Sequence, residues 1–116
     1  MSKTSFKKTF SYERRFKDAT AIKRKYPARI PIIVEANKDV PALRKHKYLA
    51  PCDLTVGEFL HVLRRRIDIG PEQALFIFFD SGFLAPTGAL LGAVYESNRD
   101  TDQFLYARLC LENTFG

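Results

Sequence analysis

Thr55-Val56-Gly57-Glu58-Phe59-Leu60-His61-Val62-Leu63-Arg64-Arg65-Arg66-Ile67 opens on a capping box: the threonine hydroxyl can accept from the Glu58 backbone N–H while the glutamate reaches back. Val56, Leu60, Leu63 and Ile67 recur at i, i+4, i+7 and i+11, so the spacing predicts a helix running to about Ile67 with this stripe on the core. Phe59 and Val62 fall off the stripe, and their apolar surface needs either another element or a partner. Arg64-Arg65-Arg66 gives the helix end a cationic rim that complements its dipole.

Upstream of this helix, Lys47-Tyr48-Leu49-Ala50-Pro51 reads as a short strand whose brevity and closing proline suit a sheet edge. Arg29-Ile30-Pro31-Ile32-Ile33-Val34-Glu35 is β-branched and reads as a first strand, and Asp39-Val40-Pro41 marks a turn between the two. Ser11 can cap a helix continuing to Tyr26, before Pro27. Tyr12, Phe16, Ala19, Lys23 and Tyr26 share one of its faces and form the expected docking stripe, and a shorter helical turn at Thr4 to Thr9 can precede it. Downstream, Leu75-Phe76-Ile77-Phe78-Phe79 is apolar on both alternating faces, as for a strand in the middle of a covered sheet or one with a second interaction face; core packing is the expected role of Phe76 and Phe78, and a further docking face is the alternative. Asp80-Ser81-Gly82 ends it in a turn, Thr87 can cap a short helix from Gly88 to Ser97, and Phe104 to Leu111 is the last strand.

With 116 residues and 46% hydrophobic content, the chain builds one core and one domain. No stretch has the roughly 20 apolar residues of a membrane span, and no apolar run follows Lys3, Lys7 and Lys8 as in a secretory signal. A cytoplasmic protein is expected, with Cys52 and Cys110 as small buried thiols. The net charge of +6 is N-terminal: residues 1–29 hold ten Lys and Arg against Glu13 and Asp18. Such a segment can steer acidic peptides, anionic lipid or nucleic acid. Nucleic acid is the weaker expectation, because aromatics are not interleaved with the basic residues as in an RNA-binding motif. Catalysis finds no constellation: His46 and Cys52 lack an orienting acid at recognisable spacing. His61 has Arg65 at i+4 and neither histidine has cysteine partners at zinc spacing, so no metal is expected.

The order of helix, strand, strand, helix, strand, short helix, strand matches an α+β ubiquitin-like β-grasp: a mixed four-stranded sheet with one or two additional N-terminal helices. Residues 1–26 would be the helical extension, 27–111 the core and 112–116 a flexible conjugation tail. That tail, Glu112-Asn113-Thr114-Phe115-Gly116, ends on a residue without a side chain beside the carboxylate, suited to a narrow adenylation site. Together with Tyr26-Pro27-Ala28-Arg29-Ile30-Pro31, Lys47-Tyr48-Leu49, Asp53-Leu54-Thr55-Val56-Gly57, Arg66-Ile67, Phe76-Ile77-Phe78 and Phe104-Leu105-Tyr106, it makes the chain resemble the autophagy ubiquitin-like modifiers. This lipid-conjugated family includes the GABA-receptor-associated and light-chain subfamilies.

The resemblance implies a substrate of enzymes rather than an enzyme. A protease exposes the terminal glycine, activating and conjugating enzymes carry it, and Gly116 ends as an amide on phosphatidylethanolamine of the autophagosomal membrane, with no other cofactor. The same protease class deconjugates it. It also implies a site for aromatic-x-x-aliphatic motifs of cargo receptors. Pocket one maps to Asp18, Ile22, Pro31, Ile33, Lys47, Leu49 and Phe104, and pocket two to Tyr48, Ala50, Pro51, Leu54, Phe59 and Val62. Arg29, Lys45, Lys47 and Arg66 would pair with acidic residues flanking the motif. Ala50 stands where the family carries a larger aliphatic residue, implying a roomier second pocket, and Asp18 is one methylene shorter than the usual glutamate. A peptide-binding adaptor of the same fold that is not conjugated is the alternative reading.

Overall fold

The computed structural model describes residues 5–79 and 82–113. Its elements run α1 (Ser5–Thr9), α2 (Tyr12–Lys25), β1 (Arg29–Ala36), β2 (Lys47–Pro51), α3 (Val56–Arg64), β3 (Gln73–Phe79), α4 (Leu91–Asn98) and β4 (Leu105–Asn113). The sheet order is β2-β1-β4-β3. β1 and β4 pair parallel in the centre, and the two outer pairs are antiparallel, so the sheet is mixed. One face carries the main core: Ile30, Ile32 and Val34 of β1 and Leu75, Ile77 and Phe79 of β3 pack with Val56, Phe59 and Leu63 of α3. The other face carries a second cluster, in which Ile33, Phe104 and Tyr106 pack with Ala19 of α2.

α3 starts as its sequence dictates. The Glu58 N–H donates to the Thr55 hydroxyl at 3.1 Å and the Thr55 N–H to the Glu58 carboxylate at 2.9 Å. Replacing Thr55 by alanine is expected to cost about 1 kcal/mol, read as a lower midpoint in urea with an unchanged slope. Gly57 sits in the first turn because its N–H donates to the Thr87 carbonyl at 2.9 Å, and a Cβ there would lie 3.2 Å from that oxygen. Thr87 therefore serves α3 and not α4, which begins later than expected, at Leu91, with no side-chain cap on Leu90.

Five other expectations change. α3 ends at Arg64 rather than Ile67, its last residues continuing in tight turns from Arg66 to Leu63 and Ile67 to Arg64. Phe59 is 2% exposed and belongs to the core, while Leu60 is half-buried. The two flank one stripe, and the larger ring turns inward because Tyr48 meets it edge-on at 5.8 Å. α2 does not dock through its aromatic stripe: Tyr12, Phe16 and Tyr26 are exposed, and the buried residues are Arg15 and Ala19. β3 is an edge strand, and Phe76 and Phe78 are half-buried on the face turned away from α3 rather than in the core. Cys52 and Cys110 are free but only half-buried, and Cys110 Sγ accepts from Asn37 Nδ2 at 3.0 Å. The turn expected at Asp80-Ser81-Gly82 lies partly outside the described residues; Gly82, at φ +96°, and Phe83 bond back to the Phe79 carbonyl.

Candidate functional site

β2 lies at a sheet edge, with β1 on one side only. The Val34 N–H bonds the His46 carbonyl at 2.7 Å, and the Cys52 N–H bonds the Ala28 carbonyl at 3.0 Å. Antiparallel pairs alternate, so the inward-bonded residues between these two points are Tyr48 opposite Ile32 and Ala50 opposite Ile30. The N–H and C=O of Lys47 and Leu49 therefore point away from β1, toward the open edge. Arg29 marks that edge by donating from its guanidinium to the Leu49 carbonyl at 3.1 Å.

The pleat sends the side chains of β2 to different layers. Lys47 and Leu49 share a face with Pro31 and Ile33, toward the second cluster; Tyr48 and Ala50 face the main core. On the first face Lys47 Nζ pairs with Asp18 at 2.7 Å, and Ile22 packs over the Ile33–Phe104 floor. Pro31, Ile33 and Phe104 are buried there, and Leu49 is half-buried. The accessible space beside the ion pair is a cleft of about 140 Å³ lined by Phe6, Phe10, Arg14, Arg15, Asp18 and Lys47. The periodicity of α1 and α2 gave no sign of Phe6, Phe10, Arg14 or Arg15 at this place.

On the second face Tyr48, Ala50 and Phe59 are already core residues, Leu54 is half-buried against them, and Pro51 and Val62 are exposed. The Tyr48 hydroxyl is buried without a hydrogen-bond partner among the described residues. Burial pushes this phenol above its ordinary pKa, with Arg66 opposing. Lys45 Nζ lies 5.2 Å from the Tyr48 ring centroid, and Arg66 lines a groove with Val62 and Arg65. Arg29, Lys45, Lys47 and Arg66 are exposed cations around the two faces.

The N-terminal helices are held by polar anchors that no local pattern announces. Asp102, fully buried, accepts from Arg15, from the Tyr106 hydroxyl and, at 2.9 Å, from the Phe104 N–H. Burial and the Asp102 carboxylate together push the Tyr106 phenol far above its ordinary pKa, against Arg15. Lys7 pairs with Asp100 at 2.7 Å. Burial would raise the Asp100 carboxyl, but Lys7 and the Asp102 N–H outweigh it and hold it below the usual carboxylate range. Gly116 lies outside the described residues.

Residues 14–116 match the family described as "Autophagy protein Atg8 ubiquitin like". The chain belongs to the Atg8 ubiquitin-like family. Among Atg8 relatives, Autophagy-related protein 8B of Oryza sativa subsp. indica is 51% identical over 100% of this chain and 98% of its own length. Autophagy-related protein 8a of Arabidopsis thaliana is 49% identical over 100% of this chain and 96% of its own. The crystal structure of Trypanosoma brucei ATG8 superposes with a TM-score of 0.88 at 36% identity, covering 99% of this chain and 100% of that one. The Atg8 fold thus accounts for the mixed sheet and the two helices before it. No described helix is long and apolar enough to cross a membrane.

Proposed function

We propose that this Atg8-family chain is a modifier joined through Gly116 to phosphatidylethanolamine on autophagic membranes. There it recruits cargo receptors and autophagy factors through aromatic-x-x-aliphatic motifs. Activating and conjugating enzymes and a processing protease act on the tail, while the folded domain does the recognition. Family membership supports the tail chemistry. The observation that carries the recognition is the edge of β2, where Lys47 and Leu49 turn backbone groups outward and neighbouring side chains alternate between two layers.

A peptide strand added to that edge gains backbone hydrogen bonds and sends successive side chains to opposite faces. Two side chains three residues apart then lie about 10 Å apart on opposite faces. That arrangement suits an aromatic group entering beside Asp18, Ile22, Pro31, Ile33, Leu49 and Phe104 and an aliphatic group meeting Tyr48, Ala50, Pro51, Leu54, Phe59 and Val62. Arg29, Lys45, Lys47 and Arg66 supply the charge for acidic flanking residues. Because the second face is closed by Phe59, the aliphatic group meets a shallow surface whose exposed members are Pro51 and Val62.

Titration with a synthetic acidic peptide holding tryptophan and leucine three residues apart tests this. Leu49→Ala is expected to weaken binding about tenfold while leaving the fold intact. An unchanged affinity would remove β2 from the recognition site.

A further inference from the structure

α1 is five residues long and buries none of them fully, too short to persist through its own backbone bonds. The rest of the chain holds it. The Glu35 carboxylate, itself buried, accepts from the Ser5 and Phe6 N–H groups, each at 3.0 Å. Lys7 lies 4.6 Å from the Tyr106 ring centroid in addition to its pair with Asp100. These anchors press the Phe6 ring edge-on against Phe104 at 5.2 Å, with Phe10 behind it at 5.1 Å. Phe104 is fully buried as a result, and Phe6 and Phe10 form the apolar wall of the cleft whose polar side is the Asp18–Lys47 pair.

We infer that Phe6 is a specificity-determining residue of the first pocket, an internal occupant of the Phe104 surface that an aromatic ligand group must displace, and that Glu35 is the positioning residue that seats it. This rests on the peptide-binding reading of β2. The physical argument is competition for one surface. The cleft left open beside Phe6 is about 140 Å³ and is not lined by Phe104, so a group that fills it does not reach the Phe104 surface that Phe6 covers. Deep entry requires α1 to shift about the Phe10–Ser11 joint between the two helices. The observed affinity is then the intrinsic affinity reduced by the fraction of molecules in which Phe6 has withdrawn. Small ligand groups fit beside Phe6 and escape that reduction, so α1 sorts ligands by the bulk of their first anchor.

Calorimetric titration of the full chain with acetyl-Glu-Glu-Trp-Ala-Ala-Leu-amide, for wild type, Phe6→Ala and Glu35→Gln, tests the inference. Both variants are expected to bind about tenfold tighter, as for a site open in on the order of a tenth of molecules. The peptide with alanine in place of tryptophan should show no such gain. In the wild type, contacts between the Phe6 and Phe104 rings seen by nuclear Overhauser effect should disappear at saturation. Phe6 is only half-buried and Gln is isosteric with Glu35, so both variants retain the sheet. If the wild type binds and neither variant gains, or the ring contact persists at saturation, Phe6 is a fixed wall that the ligand leaves in place, and the inference falls while the β2 reading stands. If none of the three proteins binds, the β2 reading falls and takes the inference with it.

Discussion

Gly116→Ala is expected to leave the protein without a lipid adduct after incubation with ATP, activating and conjugating enzymes and liposomes containing phosphatidylethanolamine. The wild type should gain the mass of the lipid on its last residue. The physical reason is local. Activation joins the terminal carboxylate to AMP with loss of pyrophosphate, and each later step is attack on the terminal carbonyl, by enzyme thiols and then by the lipid amine, with AMP and then thiol leaving; a methyl group on the adjacent carbon obstructs both threading and attack. A loss of about a hundredfold, some 2.7 kcal/mol in transition-state free energy, is enough to erase the adduct in an endpoint assay. Peptide binding should be unaffected, because β2 is separated from the tail-bearing strand β4 by β1. Intact-protein mass spectrometry and calorimetry on the same sample report the two activities separately. An adduct on the alanine variant would overturn the assigned role of Gly116. An unmodified wild type beside a lipidated family control would favour the unconjugated adaptor.

Asp102→Ala is expected to destabilise the fold by about 3–5 kcal/mol, the range for removing one partner of a buried ion pair. The carboxylate accepts from three donors in one place, Arg15, the Tyr106 hydroxyl and the Phe104 N–H, and through Arg15 it seats α2. Without it a guanidinium that is 9% exposed and a buried phenol lose their acceptor. The exposed Asp18–Lys47 pair has no comparable weight, since solvent screens it to about 1 kcal/mol or less. Urea unfolding followed by far-UV circular dichroism gives the difference directly. Asp102→Asn should fall between the two proteins, since the amide oxygen still accepts but no longer carries the charge. A loss below about 1 kcal/mol for Asp102→Ala would mean that water replaces the carboxylate, and that the network does not set the position of α2.

The candidate site was partly legible in the sequence. The bounds of β2, its edge position and its brevity follow from five residues, Lys47 to Pro51. The burial of Phe59 in the core was not, because a stripe counted at i and i+4 cannot tell which of two adjacent apolar residues, Phe59 or Leu60, a distant Tyr48 will contact. Phe6 was invisible for the same reason: nothing within ten residues of it indicates that Phe104 and Glu35 are its neighbours.

Local sequence sets the elements and their order, the Thr55–Glu58 box that starts α3 and the alternation that divides β2 between two layers. These depend on hydrogen bonds and steric limits that span only a few residues. The tertiary structure alone decided how each element is turned. α2 presents Arg15 inward and leaves Tyr12 and Phe16 to solvent because the carboxylate that Arg15 meets is 87 residues away in the chain. The apolar run Leu75 to Phe79 fits an interior strand or one with a second interaction face, and β3 forms an edge because β4 takes the centre beside β1. Rotation about an axis and place in a sheet are set by the partner across the interface: with Asp102 fully buried, leaving its carboxylate without Arg15 would cost several kcal/mol, so α2 is turned to supply that partner.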